Sequence, residues 1–478
     1  MRFFLKGEAN QLVKLVRPNN KNKLYEEDRK MADLKTDFAG LKMRNPIGIA
    51  PLNRAIGYAS DAKVQADWLM RFVDEGAGFV YTGNTRPARS SPAEKRPALK
   101  FLRVTCKGFA EREGLFTTGD VDACIHYLDS TLKTISIMKP KLPSDVIFIG
   151  DASGEGADVE SWVKQTKAFE DAGVDAVELD MSCPLPLMDA QAIKKVSGTR
   201  KRYSSSDIEA DLSTLEMKTL KELGLSPHLG DTLSVLAPIV RECVNAVKIP
   251  VGVKPSAEAG FPRLVAIAKV CKDAGAKFIS NINAPISVAP PDLSKGGRPL
   301  WEKLHFPISP ISAVCGPWDR YQCYKATGTI SLFVPGIDIS AVGGLVNPEH
   351  AVEVLMMGAS HVGISSGFFW KGYKSISRFI NYLNKYMDEN GFKTMKDLVG
   401  CSIKYVRPID DNIDWGVGKI VSKVDKGKCT QCGICWHGYC PIIYEGDDGY
   451  PNVDEKNCQA CGMCVAICPA DAYEIKTI

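Results

Sequence analysis

The sequence predicts an α/β protein, a (β/α)8 TIM barrel followed by a C-terminal two-cluster bacterial ferredoxin-like domain. Three observations carry this. Short apolar runs alternate with helical patterns from residue 45 onward. Four helix-to-strand junctions share one form (EGAGFVY, DAGVDAVEL, DAGAKFIS, MGASHVGI), in which a glycine ends the helix and the next apolar run is the strand. Half of the 16 cysteines fall in the last fifty residues. The first two features argue for regular βα units and a parallel sheet. The third argues for a metal or redox module.

Taken in order, residues 1–30 are a basic N-terminal extension with eight Lys/Arg against four Asp/Glu. They read as a docking arm or surface helix, or else precede a start at Met31, because the barrel opens unaided from there. The expected strands are Ile47–Ala50, Phe79–Thr82, Val146–Gly150, Ala176–Asp180, Val251–Lys254, Phe278–Ile282, Ile337–Val342 and His361–Ser365. Helices are expected between them, among them Val159–Ala172, Leu233–Val247, Leu264–Ala274 and Glu349–Met357, with a final helix Lys371–Asn390. The long segments, roughly 83–145, 183–230 and 284–335, each follow a strand. They therefore belong to the face on which barrel enzymes build active sites. The barrel should span 31–390, a polar connection 391–425, and the cluster domain 426–478.

Composition excludes several classes. Hydrophobic residues make up 45% and charged residues 24% of 478, an ordinary globular mix. A net charge of +4 gives no general argument for nucleic-acid binding. The longest uncharged stretch, Val354 to Trp370, is interrupted by glycines and serines and contains His361, so it is no membrane span. The N-terminus lacks the apolar core of a secretory signal. A soluble, cytoplasmic protein is expected.

The cysteine spacing is informative. Cys429-x2-Cys432-x2-Cys435-x4-Cys440-Pro441 is followed by Cys458-x2-Cys461-x2-Cys464-x3-Cys468-Pro469. This is the two-cluster ferredoxin run, in which the fourth cysteine of each run ligates the other cluster. It assigns Cys429, Cys432, Cys435 and Cys468 to one [4Fe-4S] cube, and Cys458, Cys461, Cys464 and Cys440 to the other. Structural zinc is the competing reading, but zinc sites use pairs of C-x2-C and need no third cysteine at the same interval. The x4 spacing in the first run adds one residue to the usual loop.

In the barrel, the last two strands end in Gly343-Gly344 and in Gly363-Ile364-Ser365-Ser366-Gly367. Loops after strands seven and eight are the usual phosphate site of a barrel. The fifth strand ends in Lys254, a cation that would stabilise a reduced, anionic flavin. The fourth strand ends in Asp180-Met181-Ser182-Cys183, and the sixth offers Asn281 and Asn283, amides suited to a planar ring. No glycine-rich dinucleotide fingerprint follows an expected strand, so NAD(P)H should bind elsewhere.

These pieces resemble the FMN domain of the dihydroorotate/dihydropyrimidine dehydrogenase family. The matching segments are Asn45-Pro46, ELDMSCP, VGVKP, Asn283, AVGGLVNPEHAVEVLMMGAS and ISSG. With the cluster domain, residues 33–478 resemble the family's FMN and iron–sulfur part, which in bacteria pairs with a separate FAD/NAD(P)H subunit. The resemblance implies that Gly343, Gly344, Gly363, Ser365 and Ser366 hold the FMN phosphate. It implies Lys254 at the isoalloxazine, and Asn84, Thr85, Asp180 and Asn283 around flavin or substrate. It also implies electron transfer through two clusters, an FAD/NAD(P)H subunit or ferredoxin as electron partner, and a homo- or hetero-oligomer.

Departures matter too. Gly83-Asn84-Thr85 replaces the usual Lys-Thr, Asp180 replaces an asparagine, and Ala284 replaces a threonine. The family's active-site loop carries a cysteine or serine. The corresponding loop here holds Ser226-Pro227-His228, which makes Ser226 and His228 the proton-transfer candidates. The expected activity is oxidation or reduction of a C–C/C=C bond in a small cyclic or unsaturated substrate. The alternative is an electron-transfer subunit whose barrel has lost that chemistry. Asp180, expected to face substrate, argues against a simple pyrimidine.

Overall fold

The computed structural model describes residues 32–51, 61–87, 100–105, 113–118, 126–182, 229–256, 259–288, 291–299, 311–406, 419–438 and 440–478. The chain divides into two compact units, 1–406 and 407–478.

The first unit is a closed barrel of eight parallel strands: Ile47–Ile49, Phe79–Arg86, Ile147–Ala152, Ala176–Asp180, Val251–Lys254, Phe278–Ser280, Asp338–Ala341 and His361–Ile364. The eighth strand pairs with the first, and the first with the second, which removes any sheet edge. All eight lie where the apolar runs put them, with no end more than four residues away and two strands matching at both ends. Residues that point outward, such as Val177, Leu179, Val251 and Val253, pack beneath the surrounding helices.

Inward residues stack in layers of four drawn from alternate strands, as strand tilt in an eight-stranded barrel requires. The register places Phe79, Ala176, Phe278 and His361 in one layer, and Gly48, Ile149, Gly252 and Ser340 above it. Tyr81, Glu178, Ser280 and Gly363 come next, then Ala50, Asp151, Lys254 and Val342. The barrel is thus apolar at its base and polar at its mouth. Gly252 is required by this packing, because a Cβ there would stand 2.3 Å from the Phe278 ring.

A hairpin, Thr36–Phe38 with Leu41–Met43, closes the base. Its two-residue turn needs positive φ twice, and Ala39 (53°) and Gly40 (84°) supply it. Phe38 and Met43 enter the interior cluster, and the Phe38 ring lies 3.9 Å from that of His361.

Three expectations are corrected. The final helix runs Ser375–Asn390 and not from Lys371, and a separate short helix, Ser366–Lys371, precedes it and ends where Gly372 adopts φ 68°. Residues 391–406, expected in the connection, belong to the barrel unit. Met395 and Leu398 are buried in its core, and Gly400 donates to the Leu355 carbonyl. Ile420–Val424, also expected in the connection, pairs along its whole length with Tyr473–Thr477 in the second unit.

A further sheet has no counterpart in the sequence reading. Strands Lys100–Thr105, Glu113–Thr118, Ile286–Val288 and Ile311–Cys315 join the loops that follow the second and sixth barrel strands. In the second unit, a second hairpin pairs Ile443–Glu445 with Pro451–Val453. Short helices Ile434–His437 and Met463–Ile467 each follow one C-x2-C turn.

Candidate active site at the barrel mouth and the cysteine cavity

The second strand carries a bulge that decides which side chains reach the mouth. Tyr81 pairs with Ile149 and Asn84 with Asp151, so three residues oppose two, and Gly83 takes φ 83°. Asn84 therefore holds the inward place that uniform alternation would give to Thr85. Its amide donates to Ser153 Oγ (2.7 Å) and to Asp180 Oδ2 (2.8 Å). Thr85, expected beside a cofactor, instead turns to the helix side and shares a hydrogen bond with Thr131 (3.1 Å).

Asp180, at the fourth strand's end, spends both oxygens on protein donors. Oδ1 accepts from Ser182 N (3.1 Å) and Ser182 Oγ (2.6 Å), while Oδ2 accepts from Asn84. The expectation of a carboxylate free to repel a substrate carbonyl loses its ground here. Asp180 instead organises the donors around it. Asn283 donates to Ser182 Oγ (2.7 Å), which ties the sixth strand's loop into the same network. Asn281 does not join it. Its amide donates to Cys323 O and Thr327 Oγ1, and its carbonyl accepts from Val342 N.

Lys254 stands in the top interior layer, 5% exposed, beside three acids. Glu178 is pushed up to about 7, chiefly by burial, against the opposing pull of Lys254. It accepts from Tyr81 Oη (3.2 Å) and from Ser280 Oγ. Asp151 is fully buried, and neither of its oxygens has a hydrogen-bond partner. Burial, then the negative charge of Asp180, holds its carboxyl well above the usual carboxylate range. The sequence reading missed Asp151 by ending the strand at Gly150, although Asp-Ala-Ser after IFIG repeats the polar strand end seen at Asp180-Met-Ser.

Gly343 (φ 122°) and Gly344 (φ 66°) follow the seventh strand. A Cβ on Gly344 would meet Arg320 N at 2.3 Å, and one on Gly343 would meet Ile282 Cδ1 at 2.7 Å. Close packing within the protein thus already demands both glycines. Gly363 lies against Ala50 and Val342, while Ser365 and the buried Ser366 follow the eighth strand. Ser226, His228, Cys183 and the 1–30 extension lie outside the described residues.

In the second unit, Cys429, Cys432, Cys435 and Cys468 line one cavity, together with Ile434, Trp436, Ile467 and Tyr473. Among the described residues, no three His, Cys, Asp or Glu side chains converge on a point that one metal ion could hold. Four thiols around a cavity suit a larger group. In both runs the residue before the second cysteine, Gln431 or Ala460, takes positive φ, as does the following Gly433 or Gly462. This aims backbone N–H groups at sulfur: Gln431 N at Cys429 Sγ and Ala460 N at Cys458 Sγ, each 3.4 Å. Ser422 reaches Cys458 and Cys464 from the flanking strand.

Residues 422–469 match a family described as a 4Fe-4S dicluster domain. The chain is also similar, at 24% identity over 466 residues, to the NAD-dependent dihydropyrimidine dehydrogenase subunit PreA of Escherichia coli strain K12. That match covers 93% of this chain and 95% of the relative. The chain is thus similar to named dihydroorotate and dihydropyrimidine dehydrogenase subunits. The catalytic subunit of dihydroorotate dehydrogenase B (NAD(+)) from Thermoplasma acidophilum is 24% identical over 78% of this chain and all of its own length. The subunit of the same name from Methanocaldococcus jannaschii is 25% identical over 77% of this chain and 98% of its own. The dehydrogenase-B subunits match over little more than the barrel's share of the chain, whereas the PreA match is long enough to include the cluster domain. Among the described residues, no helix is long and apolar enough to cross a membrane.

Proposed function

We infer that the chain is an FMN-dependent iron–sulfur oxidoreductase. Electrons pass between two [4Fe-4S] clusters and FMN, and the barrel reduces or oxidises a C–C/C=C bond in a small cyclic substrate. The observation that carries this is the pairing, in one chain, of a four-cysteine cavity with a barrel whose polar top layer is built around Lys254. The kinship with dehydrogenase subunits supports it.

The residues present fit a flavin. The mouth offers a cation, Lys254, amide and hydroxyl groups at Asn84, Ser182 and Asn283, and unused acceptors on Asp151. FMN, when bound, supplies the hydride chemistry that side chains lack. The protein's part is to bind, orient and balance charge. Lys254 opposes negative charge that develops at the ring, and the Asn84–Asp180–Ser182–Asn283 network fixes the donors around it. Gly363, Ser365 and Ser366, with Gly343 and Gly344, would hold the phosphate. His228 or Ser226 would move the substrate proton. Cys429, Cys432, Cys435 and Cys468 would hold one cluster, and Cys458, Cys461, Cys464 and Cys440 the other. A separate FAD/NAD(P)H subunit or a ferredoxin would exchange electrons with the clusters.

The test is anaerobic purification, followed by flavin and iron assay and a screen of unsaturated cyclic substrates with reduced viologen as donor. About eight irons and one FMN per chain are expected, with turnover of at least one substrate. Zinc in place of iron, FAD in place of FMN, or no flavin in a folded preparation would overturn the reading. A chain loaded with flavin and iron that turns over nothing would favour the electron-transfer alternative.

A further inference from the structure

The function proposed above places Asp151 at the mouth but assigns it neither a protonation state nor a partner. Its carboxyl ends the third barrel strand at the level of Lys254, in the last interior layer below the mouth. It is fully buried, yet neither oxygen has a hydrogen-bond partner. Leaving such a group unmatched is destabilising, and native interiors keep few of them. The neighbouring polar groups show how unusual this is. Asn84, Asp180, Ser182 and Asn283 are linked in one chain of hydrogen bonds, and Asp151 stands outside it.

The charged groups that face Asp151 are Glu178 and Asp180 on the fourth strand and Lys254 on the fifth. Burial, and after it the negative charge of Asp180, disfavour an ionised carboxyl at Asp151 against the opposing pull of Lys254. A neutral carboxyl presents one O–H donor beside one carbonyl acceptor. That is the complement of an imide edge, in which an N–H lies beside a C=O.

We propose that Asp151, as the protonated acid, recognises the imide edge of a ring bound at the barrel mouth through a pair of hydrogen bonds. The Asp151 O–H donates to the ring carbonyl, and its C=O accepts from the ring N–H. Both an isoalloxazine and a pyrimidinedione carry this edge. The inference rests on the flavin-and-substrate reading only in that a ring must bind here.

The experiment uses the full chain, prepared anaerobically, with three probes: FMN, its N3-methyl analogue and uracil. Binding is followed by flavin fluorescence for the first two and by calorimetry for uracil, with and without flavin present. If the ring is the flavin, Asp151→Ala weakens FMN about ten- to a hundredfold and abolishes the preference for FMN over the N3-methyl analogue. If the ring is the substrate, FMN binding is unchanged and uracil is weakened by the same factor. In either case Asp151→Asn, which keeps a donor beside an acceptor, holds affinity within about threefold.

Unchanged binding of both FMN and uracil in Asp151→Ala would overturn the proposal, as would equal loss in the Asn and Ala variants. Should the Ala variant not fold, the pH profile decides. Wild-type binding falls as rising pH ionises Asp151, whereas Asp151→Asn stays flat, and identical profiles refute the idea. A wild-type chain that binds no FMN defeats the function proposed above, while the uracil arm still decides this one.

Discussion

Replacing Glu178 with Gln tests the charge balance of the barrel interior. Glu178 sits in the third layer with Tyr81 and Ser280 donating to Oε2, while Oε1 has no partner. Burial lifts its carboxyl from 4.5 to about 7 in the folded chain. Each tenfold change in proton affinity is worth about 1.4 kcal/mol, so ionising Glu178 in place costs on the order of 3 kcal/mol. The sign follows from proton binding. Below pH 4.5 the group is neutral both folded and unfolded, and no cost exists. Between 4.5 and 7 the unfolded chain releases a proton that the folded chain keeps, so folding stability declines as pH rises. Above 7 the full cost is present. Glutamine keeps an oxygen for Tyr81 and Ser280 and puts an NH2 where the neutral acid has its O–H. The variant should therefore match the wild type near pH 4 and exceed it by about 3 kcal/mol at pH 8. Urea unfolding of the barrel, followed by far-UV circular dichroism across this range, reads the difference. A gain that does not depend on pH would show that folding leaves the proton affinity of Glu178 unshifted, and a loss at pH 8 would show that Lys254 holds it ionised; either makes the assigned balance wrong.

Other consequences are checked more simply. Cys432→Ala should remove about four of eight irons by colorimetric assay and destabilise residues 420–478, whereas a variant that retains all its iron would exclude Cys432 as a ligand. Gly252→Ala drives a Cβ into the Phe278 ring and should cost about 1–3 kcal/mol in thermal unfolding, without altering the iron content. Gly344→Ala combines a left-handed φ with a clash against the Arg320 backbone. It should lower Tm and flavin retention together. Asn84→Ala strips one donor from Asp180 and Ser153. It should weaken ring binding by about 1–2 kcal/mol, read by flavin titration, with little change in fold.

Most of the barrel was legible because four of its helix-to-strand junctions repeat a local signal. Gly76, Gly173, Gly275 and Gly358 each take positive φ at a helix end, and the apolar run behind each becomes a strand. What escaped depends on partners far away in the chain. The four-stranded sheet joins residues 100–118 to 286–315, and no local periodicity marks strands that pair across such a separation. Side-chain direction failed at the bulge. Strict alternation puts Thr85 inward, and one extra residue after Tyr81 reverses that assignment in favour of Asn84. Asn281 and Asn283 looked equivalent in sequence, but only Asn283 reaches the mouth, while Asn281 fastens the helix Arg320–Phe333 to the barrel. The cysteine pattern was legible outright, because cluster ligation is written in short intervals that no distant partner can alter.

Among the described residues, the hairpin at the base closes that end of the barrel. Phe38 and Met43 stopper one end, and the rings of Phe79, Phe278 and His361 fill the floor above them. Among the described residues, this packed floor separates the buried acids from the base and leaves them nearest the mouth. Once a planar molecule settles there, the mouth closes as well, and protons on Asp151 and Glu178 exchange no faster than the occupant leaves. The interior then keeps whatever protonation it had at the moment of capture. A chain loaded at pH 6 and moved quickly to pH 8 should for a time behave as though still at pH 6, with a lag equal to the residence time of its guest.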